Sequence, residues 1–122
     1  MSRFFKPYEG RKPYLFISYS HRQSEDVVDT IRLLHEGGYR LWYDEGIPAG
    51  SDWPDNIARH MEACDGVLFF QSAEALRSPN CLSEIRTARR LNKPIQVVRL
   101  DDSAADAAWR DCLPEDAIPV LP

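Results

Sequence analysis

Gly66-Val67-Leu68-Phe69-Phe70 is apolar without a break, and a short way downstream the chain reads Ser78-Pro79-Asn80-Cys81-Leu82-Ser83-Glu84-Ile85. A strand that is apolar on both faces has to be covered on both, which places it centrally in a mainly parallel sheet. The second stretch opens a helix. Ser78 is a good N-cap, Pro79 suits the first helical position, and Pro94 stops the helix soon after about Leu91. At roughly 100° per residue, Cys81, Ile85, Ala88 and Asn92 share one face, and Glu84 falls on the wheel between Ala88 and Leu91. That is the edge of the buried stripe, near the positive end of the helix, where the dipole favours an anion by ~0.3–1 kcal/mol. Glu84 thus stands where a purely structural helix would take an apolar residue. The plain alternative is a partly buried glutamate paired with an arginine.

Further apolar runs flank this unit: Tyr14-Leu15-Phe16-Ile17-Ser18-Tyr19, Arg40-Leu41-Trp42-Tyr43 and Ile95-Gln96-Val97-Val98-Arg99-Leu100. Each is closed by polar or turn residues and most are followed by a helical pattern, the mark of βα units. After the first run, Ser24 caps a helix with Val27, Val28, Ile31 and Leu34 as its stripe, and Gly37-Gly38 ends it. After the second, Asp52 and Asp55 resemble a capping box, with Trp53, Ile57 and Met61 facing inward. After the fourth, Asp101-Asp102-Ser103 leads into an alanine-rich turn or helix through Trp109. Ile118-Pro119-Val120-Leu121 fits a fifth strand at an edge, where Pro119 is tolerated. The expected class is α/β: a central, mainly parallel five-stranded sheet with helices on both faces.

Such a sheet holds its ligand outside the carboxyl ends of the strands, where strand order reverses. With the order 2-1-3-4-5, the crevice lies between the end of the first strand and the loop leading into the helix of Glu84. Ser18, Tyr19, Ser20 and His21 then face the same gap as Glu84.

The 122 residues, 43% of them hydrophobic and 28% charged, suit a single globular domain. We read Met1 to Lys12 as a loose lead-in and residues 13–122 as the domain, which leaves open a segment cut from a larger protein. A formal charge of −4 argues against general affinity for nucleic acid or anionic lipid. Cys64, Cys81 and Cys112 are far apart and lack C-x-x-C spacing, so neither a disulfide framework nor a metal site is expected, and a reducing, cytoplasmic setting is. No apolar run approaches the ~20 residues of a membrane span.

Phe16-Ile17-Ser18-Tyr19-Ser20, then Leu41-Trp42-Tyr43-Asp44 with Gly46-Ile47-Pro48-Ala49-Gly50, then Ser78-Pro79-Asn80-Cys81-Leu82-Ser83-Glu84 together resemble a Toll/interleukin-1 receptor (TIR) domain of bacterial type. The resemblance runs in order from about Tyr14 to Leu100. It implies a flavodoxin-like fold and one of two roles. The first is cleavage of the nicotinamide–ribose bond of NAD, active on self-assembly in bacterial immune or stress signalling, with NAD as substrate and no cofactor. The second is a non-catalytic module binding other TIR domains. For the enzymatic role the resemblance implies Glu84 as the catalytic glutamate. Enzymatic members often carry W-x-x-x-E there; this chain has Asn80 in the tryptophan position, which removes a stacking surface. Ser20 and His21 are implied to lie beside the bound nucleotide. The loop containing Gly46, Ile47, Pro48 and Gly50 is implied to pack on a neighbouring subunit, and Asp44, at a strand end, either contacts ligand or starts the turn.

One carboxylate suffices for this chemistry. Glycosidases acting on ordinary sugars need an acid for a poor leaving group and a second carboxyl for the oxocarbenium ion. In NAD the nicotinamide is already cationic and departs neutral, so what remains is to stabilise positive charge on the ribose and hold its hydroxyls.

Other readings are weaker. Cys81 with His21 or His60 would make a hydrolase pair, but a thiol on an apolar stripe is usually core. His35 and His60 lack metal-ligand spacing and are expected at the surface. Arg86, Arg89 and Arg90 read as a solvated face, or as a docking face for an acidic neighbour. The absence of G-x-G-x-x-G and Walker sequences disfavours dehydrogenases and P-loop enzymes. Phe70-Gln71 stands where a phosphorelay receiver would need its acceptor aspartate.

Overall fold

The six residues of β3 (Gly66–Gln71) are all buried, as a central strand requires. β3 pairs in parallel with β1 (Leu15–Ser18) on one side and β4 (Ile95–Arg99) on the other. β2 (Leu41–Tyr43) lies outside β1, and β5 (Ile118–Pro119) outside β4, giving the order β2-β1-β3-β4-β5. The computed structural model describes Tyr8 and residues 10–20, 24–43, 53–113 and 118–119; for 24–26, 53–56 and 118–119 it describes the backbone alone. The expected five-stranded parallel sheet is thus present, with Pro119 on an edge strand.

Successive strand residues point to opposite faces, and the core divides accordingly. On one face Phe16, Trp42, Val67, Phe69 and Val97 pack with Met61, Cys81, Ile85, Ala88 and Trp109. These come from α2 (Trp53–Ala63), α4 (Pro79–Arg90) and α5 (Ala107–Arg110). On the other, Ile17, Leu41, Tyr43, Leu68 and Phe70 pack with Val27 and Ile31 of α1 (Ser24–Glu36). Trp109 stacks on Phe69 at 5.0 Å between ring centroids and donates its indole N–H to the Leu76 carbonyl at 2.9 Å. It thereby ties α5 to α3 (Ala73–Leu76), a single turn that the sequence reading did not contain.

Two helices end in the same way. At the end of α1, Gly38 has φ 98°, Gly38 N–H reaches the His35 carbonyl and Tyr39 N–H the Leu34 carbonyl. At the end of α4, Asn92 has φ 58°, Asn92 N–H reaches the Arg89 carbonyl and Lys93 N–H the Ala88 carbonyl. This paired bonding closes a helix through one left-handed residue, for which glycine and asparagine are suited. Asn92, expected on the buried stripe, is therefore exposed: the helix stops at Arg90, with Leu91 as its cap.

Two surface readings change as well. Tyr8, inside the expected loose lead-in, donates its backbone N–H to the Leu41 carbonyl at 2.9 Å and accepts from Lys12 N–H on its hydroxyl at 2.9 Å. Its ring lies under the Arg40 guanidinium. His60, expected at the surface, stacks on Trp42 at 4.0 Å between centroids, because its place on α2 faces an aromatic of β2.

Candidate functional site

Ser78 caps α4 as expected, its hydroxyl accepting Cys81 N–H at 3.2 Å. Glu84 is the sixth residue from Pro79, in the second turn, where the dipole acts weakly. What holds the carboxylate is a side chain from another element. Ser18, the last residue of β1, donates its Oγ–H to Glu84 Oε1 at 2.7 Å, in the interior. Glu84 is 8% exposed and Ser18 1%. A hydroxyl bond to a carboxylate of this length is charge-assisted and fixes the acid's rotamer. The strand end and the helix therefore converge at the carboxyl side of the sheet, as strand order requires.

Cys81 completes the cluster, one helical turn before Glu84. Burial pushes its thiol up to about 11, the Glu84 charge adds to the rise, and hydrogen bonds with Ser78 and Ser18 oppose it. A thiol held neutral in this way is a poor nucleophile, so Cys81 serves as packing beside the carboxylate. The sequence offers Cys81 as core or, with His21 or His60, as half of a hydrolase pair; its three-residue offset from Glu84 is the signal that puts it beside the carboxylate.

The fold is one that known proteins share. A sequence profile described as TIR domain matches residues 15–118. The chain belongs to the TIR-domain family. Among solved structures, the TIR domain of the Toll-related receptor TRR-2 from Hydra magnipapillata is similar with a TM-score of 0.71 at 14% identity, over 86% of this chain and 82% of that one. The TIR domains of the activated Roq1 resistosome, described as directly recognizing the pathogen effector XopQ, give 0.61 at 15% identity, over 72% of this chain and 57% of that one. A 2-deoxyribosyltransferase from Bacillus psychrosaccharolyticus gives 0.66 at 13% identity, over 82% of each chain. At these identities the likeness is one of fold. No curated protein matches the sequence.

Within this TIR domain the remaining expected site residues fall into three groups. Ser20 is buried, 8% exposed, two positions beyond Ser18. Tyr19 is also buried, but its ring joins the core beneath α1 with Val27 and Ile31, so it points away from Glu84: adjacent strand residues face opposite ways. Asn80 is exposed in the first turn of α4, one turn before Glu84. His21, Asp44, Gly46, Ile47, Pro48 and Gly50 lie outside the described residues. Among the described residues, no cluster of three or more His, Cys, Asp or Glu is arranged to hold a metal ion, and no helix is long and apolar enough to cross a membrane.

Proposed function

We propose that this TIR domain is an NAD+ nucleosidase of bacterial immune or stress signalling, cytoplasmic and active on self-assembly, with Glu84 as its catalytic residue. The observation that carries the reading is the buried Ser18–Glu84 hydrogen bond at 2.7 Å at the end of the sheet where such folds bind ligands. Ser18 holds Oε1 of the carboxylate and so fixes the side chain. As nicotinamide departs neutral, Glu84 stabilises the positive charge developing on the ribose and accepts from its hydroxyls. Attack by water gives ADP-ribose; attack by an atom of the same nucleotide gives a cyclic product. Ser20 and His21 are assigned to the nucleotide, as are Asp44 and Asn80. The similar deoxyribosyltransferase supports the reading at the level of scaffold, since its name places sugar transfer on this fold.

The experiment is nicotinamide release from NAD by concentrated protein, wild type against Glu84→Gln. The amide keeps an acceptor for Ser18 but loses the charge. We expect release to fall at least ~100-fold, in line with loss of one electrostatic stabiliser, with the melting temperature little changed. Equal release by both proteins removes Glu84 from the chemistry.

The interaction-module reading, a scaffold or effector binding other TIR domains, has one observation in its favour. Exposed Asn80 presents no ring for nicotinamide to stack on. Absence of release even from assembled protein would establish that reading instead.

A further inference from the structure

The peptide unit joining Pro13 to Tyr14, just ahead of β1, is gripped at both poles by opposite charges. Arg40 donates from Nε to the Pro13 carbonyl at 2.6 Å, and Asp65 accepts Tyr14 N–H on Oδ2 at 3.1 Å. Each charge sits at the end of the peptide dipole that suits it. Register puts them there: Leu15 is level with Leu41 of β2 and Gly66 of β3, so Arg40 and Asp65, the residues just before those strands, flank Tyr14. Only one carbonyl and one amide group separate the two bonds, which bounds Nε and Oδ2 at ~8 Å from each other. Among the described residues no ion pair joins Arg40 to Asp65 across that gap.

Both groups keep bonding capacity beyond this clamp. The Arg40 guanidinium lies over the Tyr8 ring, 5.8 Å from its centroid, and the edge formed by its two terminal nitrogens makes no bond among the described residues. Asp65 is exposed and retains Oδ1. Both border a groove of about 230 Å3 that also has Leu15 and Tyr39 among its walls. Tyr39 is 56% exposed. One small hollow thus offers a cationic fork, an anionic oxygen and an aromatic wall.

We propose that this groove binds a free aromatic amino acid as its zwitterion, with the carboxylate on the Arg40 fork, the ammonium on Asp65 Oδ1 and the ring against Tyr39 and Leu15. The charge pattern carries the inference. Two parallel N–H donors match the two oxygens of a carboxylate. A ligand bearing one charge of each sign compensates both residues, whereas a phosphate suits Arg40 and is repelled by Asp65, and a polyamine does the reverse. Size agrees. The ammonium and carboxylate of an amino acid are joined through one carbon, so with a charge-assisted bond of ~2.8 Å at each end it spans the gap, while each further residue of a peptide adds up to ~3.6 Å and overshoots. Both charges face water, so the affinity is about millimolar. The inference is independent of the reading of Glu84, because its readout is binding and not nicotinamide.

The test is titration of the full, nitrogen-15-labelled chain with L-phenylalanine, followed by amide chemical shifts, with circular dichroism melts of each variant as a check on folding. The amides of Leu15, Tyr39, Arg40 and Asp65 should move saturably. Two analogues divide the charges: 3-phenylpropionate lacks the ammonium, and 2-phenylethylamine lacks the carboxylate. Each should bind at least ~3-fold more weakly than L-phenylalanine, as loss of one exposed charge pair implies. Asp65→Asn keeps an acceptor for Tyr14 N–H, and Arg40→Gln keeps a donor for the Pro13 carbonyl, so both clamps survive. Asp65→Asn should weaken L-phenylalanine by the same factor and leave 3-phenylpropionate unchanged; Arg40→Gln should do the reverse for 2-phenylethylamine, leaving it unchanged while weakening L-phenylalanine. Absence of saturable shifts at ten times the millimolar range overturns the proposal. So does equal binding of 3-phenylpropionate, which would make the groove an anion site alone, or L-phenylalanine binding that is indifferent to Asp65→Asn.

Discussion

Burial, with the Glu84 anion adding to it, pushes the Cys81 thiol up from its ordinary 9.0 to about 11, and this makes the folded state sensitive to base. Below pH 9 the thiol is neutral in both states. Between the two values the unfolded chain releases a proton that the folded chain keeps, so the native state binds more protons and stability falls as pH rises. Two units correspond to a loss of about 2–3 kcal/mol. Urea unfolding midpoints should drop across this interval, and Cys81→Ala should reduce the drop. Cys64 and Cys112, also pushed up by burial, keep the remainder. A midpoint constant through pH 11 would mean that the thiol is not desolvated. At this scale Glu84 was legible as a polar residue beside an apolar stripe. Its partner was not: Ser18 is 66 positions away, and nothing local in either segment encodes the bond.

The helix termini carry the next set of expectations. Ser78→Ala should cost ~1 kcal/mol by orphaning Cys81 N–H. Asn92→Gly should be neutral or stabilising, whereas Asn92→Ala should cost ~1 kcal/mol, because φ 58° is strained for a side chain without local hydrogen bonding. Thermal melts order the three; Asn92→Ala matching wild type would deny the left-handed stop. The sequence named Ser78 and Pro79 correctly because N-cap chemistry is local. It carried the stripe one residue set too far, to Asn92, because periodicity alone does not say where a helix ends. The single turn α3 escaped it for a different reason. Four residues show no period, and the turn depends on Asp101 holding Ala73 N–H, Ser72 holding Ala75 N–H and Trp109 bonding Leu76. Two of these contacts are long-range.

Across the molecule, burial sets the order of opening. β3 is buried throughout and flanked on both sides, so its amides and those of β1 should exchange with deuterium last, close to the global unfolding rate. Those of β4, whose Gln96 and Arg99 are exposed, should exchange sooner. Fast exchange in β3 would contradict the central placement. The sequence by itself determined the class of fold, the strand order and the identity of the acid at its edge. Hydrophobic runs and capping residues act over a few positions, and right-handed parallel crossovers leave few arrangements for them. Only the tertiary structure decided that Ser18 grips Glu84, that Tyr19 turns beneath α1 and that Trp109 locks α5 onto β3. Each depends on which residues the sheet register brings together across the chain, and register is settled by packing the whole core at once.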